Sequence, residues 1–172
     1  STIGGLHPWR FHLSNLLLHL GSVVLCFLIA QRMGLKNAAA TIVAGIFALH
    51  PLNTEAVSWA AARKDLLSGF LGLASLWSFL RYREEGTPMW HRWSIALFLC
   101  ALLAKVSIIL LPLSFFLMDR MRKEPRGKLM REYFPFVTLM VLFGIIAMMG
   151  KTIQAQQLAF SSWILLALKA LA

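Results

Sequence analysis

One run, FHLSNLLLHLGSVVLCFLIAQRM at residues 11–33, limits what this chain can fold into more than any other feature. It is mostly apolar, and its formal charge, Arg32, comes only at the far end. A helix of about 20 such residues crosses the ~30 Å hydrocarbon core of a bilayer. Further apolar runs occupy residues 38–49, 66–80, 93–117 and 134–150, and another starts at residue 163. They lack period-two alternation, which argues against a membrane β-barrel. The chain is 59% hydrophobic and its mean hydropathy is +0.70, too apolar for a water-soluble domain. The expected fold class is all-α, a polytopic helical membrane protein.

Charge sets the expected topology. Cytoplasmic loops of membrane proteins collect Lys and Arg. This also gives the net charge of +10 an explanation that needs no nucleic acid. Arg32 and Lys36 put the end of the first span inside, and Arg81 and Arg83 do the same for the end of the third. The run at residues 93–117 decides the rest. As one straight helix it would send Arg120, Arg122, Lys123, Arg126, Lys128 and Arg131 outside, against the charge rule. Hinged near Lys105, it goes out and returns. The hinge also removes a Lys from the centre of a spanning helix, a cost of about 2.5–3.5 kcal/mol. Halves of about 12 residues extend only ~18 Å, so they need shielding by neighbours or a cavity to line. Pro112 is expected inside the returning helix, where it would kink it.

The expected spans are residues 11–33, 38–50, 66–81, 93–104, 106–118 and 133–150, with an incomplete one at 163–172. A short helix at residues 54–64 is expected along the outer surface. On this topology Arg10, Arg63, Lys64, Lys105 and Lys151 face outward, against eleven inward Lys and Arg. The chain starts at Ser1 and stops within an apolar run, so a piece of a longer protein is expected. Cys26 and Cys100 lie in apolar runs, without disulfide or metal spacing.

Three polar groups fall on the outer side. His12, Asn15 and His19 share one helix face at i, i+3, i+7. They either hydrogen-bond across the bundle or line a cavity. In HPLNTEAVSWAAARKD, residues 50–65, Pro51 ends a helix at His50. Asn53 or Thr54 can cap the next one, and Asp65 the one after. Glu55 falls in a first turn, where the helix dipole favours an acid. Arg63 and Lys64 have no such structural role, and adjacent outer cations suit an anion. Lys105 either snorkels at a helix end or joins them. The three together would form a phosphate site, with Lys as a point charge and Arg as a bidentate donor. His50, Asn53, Glu55 and Asp65 are positioning candidates beside it. No Gly-rich phosphate loop, nucleophile elbow or metal motif is present, so no metal or other cofactor is expected.

FHLSNLLLH, FALHPLNTEAVSWAAARKDLLSGFLGLASLWSFLRY and LLAKVSIILLPLSFFLMD resemble the membrane part of bacterial TMTC-like proteins, GT-C fold glycosyltransferases often followed by tetratricopeptide repeats. The resemblance covers roughly residues 5–120. The family often has Pro after the hinge Lys, where this chain has Val106. The resemblance implies a GT-C-like bundle in the bacterial inner membrane that transfers a sugar from a polyprenyl-phosphate donor on the periplasmic face. The partners it implies are membrane lipid, that donor, and a protein acceptor or larger membrane complex. In such enzymes the catalytic acid lies in the first external loop, expected upstream of this chain, so neither Glu55 nor Asp65 is assigned that role. The alternative is a non-catalytic membrane subunit lacking the catalytic loop. A transporter is disfavoured, because no inverted repeat with paired broken helices is visible.

Overall fold

The computed structural model describes residues 8–59, 62–121 and 131–150, the side chains of residues 8, 10, 11 and 58 excepted. Among the described residues there are seven α-helices and no strand. They are α1 (Pro8–Arg32), α2 (Asn37–Leu49), α3 (Pro51–Ser58), α4 (Arg63–Glu85), α5 (Pro88–Ala104), α6 (Leu111–Met121) and α7 (Arg131–Gly150). A 3-10 turn, Val106–Leu110, joins α5 to α6.

Each boundary has a local cause. At the end of α1, Gly34 takes φ +88°. Its N–H reaches the Gln31 carbonyl, and the Leu35 N–H reaches that of Ala30. This pair of bonds caps a helix through a residue in the left-handed region, which Gly enters without strain. Asn37 begins α2, and its side chain accepts a hydrogen bond from Gln31 Nε2 at 2.9 Å. Pro51 forces His50 into extended geometry and occupies the first turn of α3. His50 caps that helix, its Nδ1 accepting from the Leu52 N–H at 3.3 Å.

The surface helix differs from expectation. It covers Pro51–Ser58 rather than residues 54–64, and Trp59 is extended. Arg63, Lys64 and Asp65 open α4 instead, with Ala62 in the capping position. Asp65 is therefore no cap. It is an acid in a first turn, where the helix dipole favours it. The proline at the start of α3 sets its register, whereas the charged triplet fits the beginning of a longer helix.

The run at residues 93–117 is broken. α5 ends at Ala104, and Lys105 adopts φ −160°, ψ 124°. Pro112 lies in the first turn of α6 rather than inside it, where its missing N–H costs no helical hydrogen bond. α4 is the central element, packed against α1, α5 and α6. On its α5 side Ser75 and Ser94 each donate a hydroxyl to the other's carbonyl, at 2.7 and 2.8 Å. The apolar core gathers Leu76, Phe79 and Leu80 of α4 with Phe98, Phe115 and Phe136. Phe79 stacks on Phe115 at 4.7 Å, and Phe115 meets Phe136 edge-on at 5.2 Å.

Two described helices, His12–Arg32 and Arg131–Gly150, are long and apolar enough to cross a bilayer, and two shorter ones, Asn37–Leu49 and Pro88–Ala104, are apolar. The span expected at residues 163–172 lies outside the described residues.

Candidate functional site

α1, α2, α3, α4, the 3-10 turn and α6 meet around a cleft of about 310 Å³. Its polar lining comes from His19, Ser22, Asn53 and Asp65, and the rest is apolar, including Phe47, Leu66 and Ile108. Sequence position alone does not predict this convergence, because it depends on α3 folding back over α1. Two side chains hold it there. Asn15 is fully buried and donates Nδ2 to the carbonyls of Trp59 (3.1 Å) and Val57 (3.4 Å). Asn53 donates to the Phe47 carbonyl at 2.7 Å, tying α3 to the end of α2.

His19 is buried, stacks on Phe47, and sits 3.2 Å from the Ala48 carbonyl through Nε2. A carbonyl only accepts, so Nε2 donates to it. The face shared by His12, Asn15 and His19 therefore divides. Asn15 and His19 bond across helices, His19 also lines the cleft, and His12 is exposed. His50 and Glu55 are exposed, and neither lines the cleft.

Lys105 makes an ion pair with Asp65, and both side chains are close to half exposed. Such a pair contributes at most about 1 kcal/mol. Ser68 fixes the backbone beneath it, donating to the Ala101 carbonyl at 3.2 Å and approaching that of Lys105 at 3.5 Å. Arg63 lines a different groove, with Ser14, Gly21 and Phe70, between α1 and α4. Lys64 is exposed. The three cations expected to act together thus lie near the same end of α4 but divide: Lys105 pairs with Asp65, which lines the cleft, whereas Arg63 lines the other groove. Among the described residues neither Arg63 nor Lys64 forms an ion pair.

A second polar cluster was not expected from the sequence. Arg83, 8% exposed, bonds both oxygens of Asp119, at 3.1 and 2.6 Å, and also Glu132. Tyr133 donates to Asp119 at 2.7 Å, and Tyr82 to Glu132 at 2.6 Å. Burial pulls the Arg83 pKa down, but hydrogen bonds and charge from Asp119, then Glu132, outweigh it and leave it above its usual value. The network joins α4, α6 and α7 and leaves no open position for a ligand on Asp119, which is 1% exposed. The one hint in the sequence was the scarcity of acids, seven against seventeen Lys and Arg.

Over 126 residues the chain is 39% identical to the protein O-mannosyl-transferase Tmtc2 of Drosophila melanogaster, a match covering 69% of this chain and 13% of that protein. The chain is TMTC-like. It is also 36% identical over 103 residues to human protein O-mannosyl-transferase TMTC2, covering 58% of the chain and 12% of that protein. Human TMTC3 matches at 33% over 97 residues, covering 56% and 10%. This TMTC-like segment thus spans about an eighth or less of the length of these relatives. They are animal proteins, so they do not carry the expected bacterial attribution. No family model and no solved structure matches the chain.

Proposed function

We propose that this segment is part of the multi-pass membrane domain of a glycosyltransferase that takes its sugar from a polyprenyl-phosphate carrier on the external or lumenal face. Lys105 and the first turn of α4 receive the carrier phosphate. The helix break at Lys105 carries the reading. It turns the chain within an apolar run, and the Lys105 ammonium pairs with Asp65, which lines the cleft from the first turn of α4, where Arg63 and Lys64 precede it in sequence. The relatives' names supply the reaction class: they are protein O-mannosyl-transferases, so a protein hydroxyl is the acceptor.

Bilayer embedding is supported by outward-facing apolar side chains on the two long helices. Leu13, Leu17, Leu20 and Val24 of α1, and Val141, Leu142, Ile145 and Ile146 of α7, are all exposed. Contiguous apolar surface of this kind suits lipid or a partner rather than water. In this reading the helices are part of a GT-C-like bundle, and repeat domains belong to the rest of the enzyme.

The chemistry divides between this segment and the rest of the enzyme. The acceptor oxygen attacks the sugar C1, the C1–O bond to the carrier phosphate breaks, and its electron pair leaves on the phosphate oxygen. A base takes the acceptor proton; no residue described here is assigned that task. Cations stabilise the charge that develops on the departing phosphate; in this reading Lys105 takes that role, and Arg63 and Lys64 add positive charge from the first turn of α4. Asn53 and His19 shape the cleft next to them. In the full-length protein, Lys105→Ala and Arg63→Ala are each expected to lower transfer from a lipid-linked donor by at least about tenfold, the loss of one charged hydrogen bond. Unchanged turnover in both variants sinks the assignment.

A further inference from the structure

We infer that Asp65 is a built-in competitor for Lys105, one that helps the spent carrier phosphate to leave. The inference rests on the reading of Lys105 as a phosphate ligand and adds a role for the acid beside it.

Of the three cations, Lys105 alone has a carboxylate on it among the described residues. Asp65 holds that position while also lining the cleft. The pair is close to half exposed on both sides, so water screens it and an incoming anion can break it. Asp65 occupies the first turn of α4, where the helix dipole still favours its charge once Lys105 has gone. The Lys105 backbone is held independently of the pair, its N–H donating to the Ala101 carbonyl and its own carbonyl facing the Ser68 hydroxyl.

The charge balance of the reaction gives this exchange a direction. The donor is a phosphodiester with one negative charge. Breaking the C1–O bond leaves a phosphate monoester, whose second ionisation, near pH 6, brings it close to two negative charges. A bare cation site would therefore hold product more tightly than substrate, and release would limit turnover. A carboxylate that returns to Lys105 weakens both by the same factor and so shortens the stay of the tighter-held product. Asp65 is thus a positioning residue acting through Lys105.

The test uses full-length protein in detergent and farnesyl monophosphate as the probe. Asp65→Asn is expected to bind it roughly two- to fivefold more tightly, the size of an exposed pair's loss. In transfer assays kcat and KM are both expected to fall. Asp65→Glu, which keeps the charge, should stay near the parent protein. Combined with Lys105→Ala, the Asp65→Asn gain should vanish. A fold weakened by the substitution would not tighten binding, so the direction of the change separates the two causes. Unchanged or weaker binding in Asp65→Asn overturns the inference, as does an equal gain without Lys105. If Lys105→Ala alone leaves farnesyl phosphate binding intact, the phosphate reading of the site fails first. Inorganic phosphate should bind less than a tenth as well as the farnesyl ester. Equal binding overturns the lipid assignment.

Discussion

Arg83 makes the clearest residue-level case for a charge that serves the fold. Two carboxylates face it at 1% and 14% side-chain exposure. Removing one partner of a buried ionic cluster leaves uncompensated charge, typically worth about 3–5 kcal/mol. Arg83→Ala is therefore expected to lower the thermal unfolding temperature in detergent sharply, and Lys64→Ala, at an exposed position, to leave it nearly unchanged. Equal effects from the two would contradict the assignment. The sequence could not reveal this cluster, because its partners lie 36 and 49 residues from Arg83 and no periodicity links such distances. The reading of the outer cations was partial for a related reason. Charge counting placed Arg63, Lys64 and Lys105 on one side, but helical phase directs Arg63 and Asp65 to different grooves.

At the scale of elements, the punctuation was legible wherever one residue dictates backbone geometry. His50-Pro51 ends α2, and Gly34 and Gly86 take positive φ at helix ends. The break at Lys105 was legible through charge rather than propensity. The extent of α3 was not, because Pro51 starts it three residues earlier than expected, Trp59 is extended, and Arg63 and Lys64 belong to the start of α4. Close packing separates two glycines. A Cβ on Gly72 would sit 3.1 Å from two atoms of Ile108, whereas one on Gly45 meets nothing within 4 Å. Gly72→Val is expected to cost about 1–3 kcal/mol through overpacking, and Gly45→Ala to add about 0.5–1 kcal/mol of helix stability. Unfolding of both variants, followed by circular dichroism in detergent, checks the opposite signs.

For the whole molecule, hydropathy indicated an all-helical chain, but could not show how six elements close around one cleft. That closure depends on Asn15 and Asn53 bonding to backbone carbonyls, contacts that polar residues in apolar helices foreshadow without naming partners. The proposed topology predicts sidedness. With Cys26 and Cys100 replaced by Ala, Lys64→Cys should react with an impermeant maleimide from the external or lumenal side. Arg120→Cys should react only after the membrane is opened. The most direct test of the central claim is photo-crosslinking in native membranes, using full-length protein, a photoactivatable polyprenyl phosphate and peptide mapping. The account predicts adducts within residues 50–67 and 104–111, competed by unlabelled polyprenyl phosphate. Adducts confined to the Arg83 end, or unaffected by the competitor, would contradict it.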